Sequence, residues 1–267
     1  MIRVILFLGF LALVGTPTSA QLKLALEGPE WLGVKEWPVS GRQGILIKQR
    51  LAFGDHRTDV VDRSWTCGSS AVSGLAAGVP GDDQFQRIIT SEWVRKSQTL
   101  YFEMTDGRGN RHRAYSVSKF KSKDLYVGNN PNSVINIFGD ILGIGDDYSN
   151  LFFVMIYDSL ASQRWELLLD NGQAQQKPKE YVGYLSADAQ QYYTIRPLSK
   201  VVSKKGKVGV MPFGSAGFEI RRSDGTPVAA VSLIDKGIVY LANHLSPDEA
   251  NRVATACAAL LLQEQLE

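Results

Sequence analysis

VATACAALLL, residues Val253 to Leu262, is the stretch that decides the fold. Its ten residues include one polar side chain, Thr255, and no charge. A helix that lies on one face of a sheet shows an apolar stripe, whereas this segment is apolar all round and must be surrounded by protein or lipid. Ten helical residues rise only ~15 Å, about half the thickness of a bilayer core, which excludes a membrane span.

The residues before this stretch carry a complete signal for a helix start. In SPDE, Ser246 suits the N-cap, Pro247 suits the first helical position, and Glu249 completes a capping box. The two acidic residues also meet the positive end of the helix dipole. The sequence therefore predicts a helix from Pro247 to about Gln265, within a C-terminal helical region of about 246–266.

The rest of the chain is rich in β-branched and aromatic residues, and several runs alternate with polar residues as half-buried strands do. Three Asp-Gly or Asn-Gly turns lie between apolar runs, and such turns are a strong local indication of a β-hairpin. They are MTDGRG at 104–109, LLDNGQ at 168–173 and RSDGTP at 222–227. We therefore predict a mainly β fold, an antiparallel β-barrel built from hairpins, with the apolar C-terminal helix buried inside it.

Two of the predicted hairpins resemble each other in sequence. YFEMTDGRGNRHRAYSV (101–117) and GFEIRRSDGTPVAAVSL (217–233) share Phe-Glu-apolar, then Asp-Gly, then Ala-x-Ser-apolar. This pattern fits a duplication, and it also fits separate hairpins that use the same turn chemistry. Repeated hairpins of this kind usually build barrels or sandwiches.

A β-barrel threaded by an apolar C-terminal helix resembles the tubby-like fold, which tubby domains, plant LURP-one proteins and phospholipid scramblases share. The similar part is GFEIRRSDGTPVAAVSLIDKGIVYLA (217–242), as closing hairpins, and SPDEANRVATACAALLL (246–262), as the helix. FGDHRTDVVDRSWT (53–66) resembles an early strand pair. The resemblance is one of architecture, and it implies a non-enzymatic fold often associated with lipids. It implies no site residue here, because no functional motif of the family matches residue by residue.

The first twenty residues have the layout of a secretory signal, which is unlike the intracellular members of that family. MIR is a short cationic start, VILFLGFLALVG (4–15) is an apolar run of twelve residues, and TPTSA (16–20) is a small, turn-forming end. We predict cleavage after Ala20 and export of residues 21–267, as one β-barrel domain, to the periplasm or the extracellular space. An uncleaved membrane anchor is the alternative, but twelve apolar residues are short for a bilayer span.

Export bears on the two cysteines, Cys67 and Cys257, because an oxidising compartment permits them to form a disulfide. The alternative is that Cys257, among alanines and leucines, is a small buried hydrophobic residue. Two cysteines and three scattered histidines provide no metal-ligand spacing, and no nucleophile–base set is visible in the sequence. We therefore name no catalytic, metal-binding or cofactor-binding residue.

One row of cationic residues is a candidate anion site. In RHRAYSVSKFKSK (111–123), residues two apart share one face of a strand. The cationic residues of this row are Arg111, Arg113, Lys119, Lys121 and Lys123. KVVSKKGK (200–207) adds four more lysines. Such cations would bind an anionic lipid headgroup or glycan, or would protect an exposed strand edge from aggregation.

The net charge of +2 argues against an obligatory nucleic-acid partner, because such proteins carry a larger basic excess. The sequence is most consistent with an exported, non-enzymatic binding or envelope-associated protein, with anionic lipid or glycan as the ligand. Two alternatives stay open. The first is a lipocalin-like carrier of a small apolar ligand, whose helix packs outside the barrel, and the second is a hydrolase that acts on envelope material.

Mass spectrometry of the native protein tests the export prediction. We expect a chain that begins at Gln21, because a signal peptidase would cleave after the small residues that follow the apolar run. Detection of an intact Met1 in the native protein would contradict this prediction.

Overall fold

The computed structural model describes residues 22–42, 50–63, 98–120, 133–134, 137–138, 150–158, 163–212 and 214–263. The strands are β1 (Lys23–Leu24), β2 (Glu36–Pro38), β3 (Ala52–Phe53), β4 (His56–Arg63), β5 (Gln98–Thr105), β6 (Arg111–Phe120), β7 (Leu151–Asp158), β8 (Arg164–Asp170), β9 (Gly183–Ser186), β10 (Tyr192–Leu198), β11 (Lys200–Val202), β12 (Val208–Val210), β13 (Gly217–Arg222), β14 (Pro227–Ser232) and β15 (Ile238–Leu241). The helices are α1 (Asn171–Gln176) and α2 (Pro247–Leu262), and a 3₁₀ turn spans Pro29–Trp31.

Twelve of these strands form one antiparallel sheet that is nearly closed into a barrel. Their order is β2-β15-β14-β13-β10-β9-β8-β7-β6-β5-β4-β3. The two edge strands meet at a single bridge, where Ser40, just beyond β2, exchanges backbone hydrogen bonds of 2.9 and 3.1 Å with Ala52 of β3. The predicted fold class, a mainly β antiparallel barrel built from hairpins, is confirmed.

Helix α2 lies between opposite walls of this barrel. It contacts β14 and β15 on one side, and β6 and β7 on the other. These two pairs are six positions apart in the order of twelve strands, so they face each other across the interior. Every residue from Val253 to Leu262 is buried, and the one polar side chain, Thr255, donates a hydrogen bond to the backbone oxygen of Asn251 at 2.7 Å. The apolar run is therefore the centre of the hydrophobic core.

The two ends of α2 are both satisfied by side chains. At the start, the Ser246 hydroxyl accepts a hydrogen bond from the backbone N–H of Glu249. Ser246 is therefore the N-cap, as predicted. At the end, Arg63 of β4 donates to the carbonyl oxygen of Leu262 at 2.5 Å, where a cation also meets the negative end of the helix dipole. Gln263 leaves the helical conformation, so α2 ends at Leu262 and is shorter than the predicted limit of Gln265.

Strand β4 runs alongside the helix from one end of the barrel to the other. His56 at its start bonds Asn251 at the first turn of α2, and Arg63 at its end bonds Leu262.

Two of the three predicted hairpin turns are confirmed. Asp106-Gly107 joins β5 to β6, and Asp224-Gly225 joins β13 to β14. The prediction for LLDNGQ is wrong, since α1 begins there instead of a tight turn. The Asp170 carboxylate accepts a hydrogen bond from the Gln173 N–H at 3.0 Å, so it caps a helix rather than shaping a hairpin. β8 and β9 still pair antiparallel, through this longer connection.

The two hairpins of similar sequence, β5–β6 and β13–β14, occupy opposite walls of the barrel. They lie six positions apart in the order of twelve strands. Both contribute inward-facing side chains to the hydrophobic core that also contains α2. In each hairpin, the shared glutamate points outward and binds arginine: Glu103 binds Arg111, and Glu219 binds Arg221. The sequence similarity therefore corresponds to a similar position and a similar ion pair.

A second, three-stranded sheet covers the outer face of the barrel at β13–β15. Its strand order is β1-β11-β12. Leu24, Trp31 and Val201 form a buried cluster with outward-facing residues of the barrel wall, among them Ala230 and Tyr240. Strand β14 is consequently buried on both faces, by α2 inside and by this small sheet outside.

Substitutions in α2 test the central position of the helix. Leu261 is almost fully buried, and a Cβ added at Gly237 on the β14–β15 turn would lie 2.6 Å from its Cδ2 atom. We expect Leu261→Ala to lower the free energy of unfolding by ~2–5 kcal/mol, because it leaves a cavity in a dense core. Leu261→Asp would bury a charge without a partner, so we expect no folded protein.

An aspartate scan through Val253 to Leu262, followed by circular dichroism, provides the sharper measurement. A helix that contacts wall on all sides should lose folding at every position. Tolerance that recurs every three or four residues would mean that one face of the helix lies in water and would contradict the central position.

Candidate anion-binding cleft

The structure describes the side chains of the first two members of the predicted basic row, and both bind the same carboxylate. Arg111 and Arg113 lie on the outward face of β6, while His112 between them is buried. The Arg111 Nη1 atom lies 3.1 Å from one oxygen of Glu103, and the Arg113 Nε atom lies 3.7 Å from the other. The hydroxyl of Tyr101 also donates to Glu103. One carboxylate on β5 therefore holds both arginines.

The remaining predicted site residues stay predictions. Lys119 lies at a register irregularity in the pairing of β6 with β7, and the structure describes its backbone but not its side chain. Lys121, Lys123 and Cys67 lie outside the described residues. Cys257 is fully buried in α2, where burial raises the pKa of its thiol. Whether Cys67 and Cys257 form a disulfide is therefore still a prediction.

A cleft of about 880 Å³ opens on the outer wall of the barrel. Its three sides are the outward face of β10 and β13, the end of α1 with the segment after it (175–182), and the small sheet with the segment after it. Apolar side chains line much of it, and these include Val182, Leu198, Val210 and Met211. Four cationic side chains and two carboxylates complete the lining; they are Lys179, Arg196, Lys200, Arg221, Glu27 and Glu219.

Glu219 forms the buried floor of this cleft, with only 4% of its surface exposed. A buried carboxylate requires partners, and Glu219 has one for each oxygen. The indole N–H of Trp31 donates to Oε1 at 2.9 Å, and the Nε–H of Arg221 donates to Oε2 at 2.6 Å. The 3₁₀ turn that contains Trp31 is thereby attached to the barrel wall at β13. The charges of Glu219 and Arg221 cancel.

This arrangement leaves Arg196 without a carboxylate partner among the described residues. It lies directly opposite Glu219 in the pairing of β10 with β13, but both oxygens of Glu219 bind other groups. Lys200 binds Glu27 at 2.6 Å. Among the described residues, neither Arg196 nor Lys179 forms an ion pair, and both are exposed. Two cations of the cleft, Arg196 and Lys179, therefore lie above an apolar lining with no ion-pair partner in the described part of the chain.

The positive charge of Arg196 affects the pKa of a neighbouring tyrosine, Tyr184. Burial raises the pKa of Tyr184, and the positive charge of Arg196 acts against that increase. The guanidinium is therefore close to the wall of β9 as well as to β13. A ligand anion near Arg196 would face one cation and several hydrogen-bond donors, which is the arrangement that phosphate and carboxylate groups prefer.

A second polar cluster surrounds the first turn of α2, and its members bind one another. Glu249 accepts hydrogen bonds of 2.8 and 2.5 Å from Arg222 and one of 3.0 Å from the hydroxyl of Tyr193. The hydrogen bond from Arg222 lowers the pKa of Glu249. Arg252 donates to the Tyr193 hydroxyl at 3.1 Å and stacks over the ring of Trp165. This cluster fixes the helix to β8, β10 and β13.

On the opposite side of the same helix turn, successive hydrogen bonds link His56, Asn251 and Asp106. His56 donates to the Asn251 side-chain oxygen at 2.9 Å, and Asn251 donates to Asp106 at 2.7 Å. Burial lowers the pKa of His56 despite the hydrogen bond to Asn251. Burial would raise the pKa of Asp106, but hydrogen bonds from Asn251 and Asn110 outweigh it and lower the pKa to about 2. These groups position the helix and leave no open face for a ligand.

Sequence reasoning missed the cleft because its parts are far apart in the chain. Trp31 and Glu219 are separated by 188 residues, and no local sequence pattern predicts their contact. The available signal was the lysine-rich KVVSKKGK segment, part of which borders the cleft. Within the described part of the chain, no three His, Cys, Asp or Glu side chains are grouped to hold a metal ion. None of the described helices is both long enough and apolar enough to cross a membrane.

Comparison of the chain with protein-family models, with curated proteins and with solved structures finds no match. The function is therefore argued from the geometry of the cleft and its surroundings.

The pH dependence of stability tests the polar cluster at His56. Because its pKa is lowered below 6.5 in the folded protein, the unfolded chain binds more protons when the pH falls below that value. We expect the free energy of unfolding to be highest above about pH 6.5 and to decrease as the pH falls towards 5. Urea denaturation across this range measures the decrease.

The matched variant is His56→Gln, whose amide keeps a donor for Asn251 but does not titrate. We expect a smaller loss of stability for this variant between about pH 7 and 5, whereas Glu249 and the other carboxylates act at lower pH. Equal slopes for both proteins in this range would show that His56 does not contribute.

Proposed function

We propose that this protein is an exported, non-enzymatic, envelope-associated binding protein that holds an anionic amphiphile in the cleft on its outer wall. The observation that carries the proposal is the unpaired Arg196 guanidinium beside an apolar lining in an open cleft of about 880 Å³. A ligand with an acidic headgroup and an apolar portion is complementary to both parts. Export is supported by the apolar run and small residues of the first twenty positions.

An anionic lipid fits this lining better than an anionic glycan does. Val182, Leu198 and Met211 offer surface to methylene groups, which a sugar chain lacks. Arg196 and Lys179 offer charge-assisted hydrogen bonds to a phosphate or carboxylate. The proposal therefore commits to an amphiphile, and glycan binding is an outcome of the test below.

The occupied interior favours a ligand on the outer wall rather than inside the barrel. Helix α2 fills the space in which a lipocalin-like carrier would hold its ligand, because its buried residues contact both walls. A barrel around a C-terminal helix also supports the proposal that the chain has the tubby-like fold. That fold is often associated with lipids, which agrees with the proposed ligand class.

Calorimetric titration with soluble probes tests the proposal. The probes are a short-chain phosphatidic acid below its micelle concentration, glycerol phosphate as the headgroup alone, and oligogalacturonate as an anionic glycan. We expect phosphatidic acid to bind more tightly than glycerol phosphate, because only the former reaches the apolar lining. We expect Arg196→Gln to weaken phosphatidic acid binding by about tenfold or more, as loss of a charge-assisted hydrogen bond does.

Arg108→Gln is the matched control, since Arg108 is an exposed arginine on the β5–β6 turn. Its variant should bind the probes as the parent protein does. Tighter binding of oligogalacturonate than of phosphatidic acid, or equal losses for the two arginine variants, would contradict the proposed ligand and site.

A further inference from the structure

The β11–β12 hairpin provides two of the three strands of the small sheet that covers the barrel. Its turn, Ser203 to Lys207, is closed by hydrogen bonds from the Ser203 N–H to the Lys207 oxygen at 3.0 Å and from the Gly206 N–H to the Ser203 oxygen at 2.8 Å. Gly206 has a φ of +74°, a conformation that glycine adopts without strain. The turn is therefore well defined, and it fixes the positions of the lysines around it.

Three lysines of this turn are exposed to solvent. Lys204, Lys205 and Lys207 are exposed, and none of them forms an ion pair with a described residue. The stretch from Lys200 to Val210 contains four lysines and no acidic residue. The hairpin tip is thus a concentrated positive charge.

Two large apolar side chains are exposed next to this charge. Val208 and Val210 of β12 are 60% and 65% exposed. They pair with Val202 and Lys200 of β11, and paired residues share one face of a sheet. The other face is the buried one, where Val201 packs against the barrel. Both valines therefore lie on the solvent-exposed face of the small sheet, and Val210 also borders the cleft.

Protection of the edge strand does not explain this arrangement. Natural proteins protect exposed edges by placing charges or proline on the edge strand itself. Here the edge strand β12 reads Val-Gly-Val, with no charge, and the lysines lie in the turn before it. Exposed valine beside clustered lysine is instead the composition of surfaces that dock on anionic bilayers, where apolar groups enter the interface and cations meet the headgroups.

We propose that the β11–β12 hairpin docks the protein on the surface of an anionic lipid bilayer, with Val208 and Val210 in the interfacial layer and Lys204, Lys205 and Lys207 against the headgroups. This proposal rests on the proposed function in so far as it names the bilayer as the source of the ligand. Lys200 and Val210 also line the cleft. Docking through the hairpin would therefore bring the mouth of the cleft to the lipid surface.

Vesicle co-sedimentation of the native protein tests the docking surface. The vesicles are phosphatidylcholine alone and an equal mixture of phosphatidylcholine and phosphatidylglycerol. We expect binding to the mixed vesicles only, and weaker binding as salt is added, because the interaction is screened. Each lysine near an anionic surface contributes about fivefold to partitioning, so the triple variant Lys204→Gln, Lys205→Gln, Lys207→Gln should lose on the order of 100-fold.

The valines are tested separately by Val208→Thr with Val210→Thr, which keeps β-branched side chains on the strand. We expect this pair to weaken binding several-fold while the salt dependence stays unchanged, because apolar contact is lost and charge is kept. Val60→Thr is the matched control, since Val60 is an exposed valine on β4, away from the small sheet. Lys236→Gln, on the β14–β15 turn, is the control for a single exposed lysine.

Hydrogen exchange on the unmodified protein provides evidence that does not depend on variants. Backbone amides of 200–210 should exchange more slowly when mixed vesicles are added, and those of β4 should not change. Absence of binding to mixed vesicles, unchanged binding of the triple variant, equal losses in the controls, or protection elsewhere but not at the hairpin would each overturn the proposal.

The soluble titrations separate this proposal from the proposed function. Lys204, Lys205 and Lys207 do not line the cleft, so the triple variant should still bind short-chain phosphatidic acid as the parent protein does. Vesicle docking without binding of the soluble probe would uphold the hairpin and reject the cleft. Binding of the soluble probe without docking would do the reverse.

Discussion

The contact between the apolar helix α2 and two opposite walls of the barrel is the interaction on which the rest of the structure depends. Eight strands enclose a space that wall side chains alone fill, and twelve strands enclose a wider one. A helix about 10 Å across fills the additional space. Alanines at 254, 256, 258 and 259 keep that helix narrow, while the buried leucines at 260–262 fill the remaining space. Without α2, the inward-facing residues of all twelve strands would have no common partner.

An apolar rod in an apolar tube would slide and rotate, so its position must be fixed by polar contacts. Glu249 and Asn251 meet side chains from four different strands or their turns at one end of the barrel, and Arg63 meets Leu262 at the other. These hydrogen bonds have narrow distance and angle requirements, which dispersion contacts lack. Hydrophobic burial therefore stabilises the helix inside the barrel, and the polar ends select one depth and one rotation.

The features that were predictable from sequence are those that a short window contains. Ser246 and Pro247 define the helix start, the uncharged run at 253–262 defines its burial, and Asp-Gly at 106–107 and 224–225 defines two hairpins. Glu249 does not act in the predicted capping box, because its carboxylate binds Arg222 and Tyr193 instead. The Asn-Gly pair at 171–172 led to a wrong hairpin prediction, because Asp170 before it suits both a helix N-cap and a tight turn. The observed connection from β8 to β9 is longer than a tight turn and begins with α1.

The candidate site was less predictable, since its character depends on which charges meet across strands. Arg111 and Arg113 look like free cations in the sequence, yet Glu103 on the neighbouring strand binds both, and its single negative charge offsets one of the two. Arg196 is unremarkable in the sequence, yet it forms no ion pair with a described residue, because Trp31 and Arg221 bind the carboxylate opposite it.

The position of α2 in the chain determines when the barrel is completed. All fifteen described strands precede the segment around which twelve of them close, and the bond from Arg63 to Leu262 joins residues 199 apart in sequence. Such long-range closure is slow and carries a large entropic cost before any native contact compensates it. During synthesis, all of these strands leave the ribosome before their central partner does, so the described barrel closes around its helix only after α2 has been made.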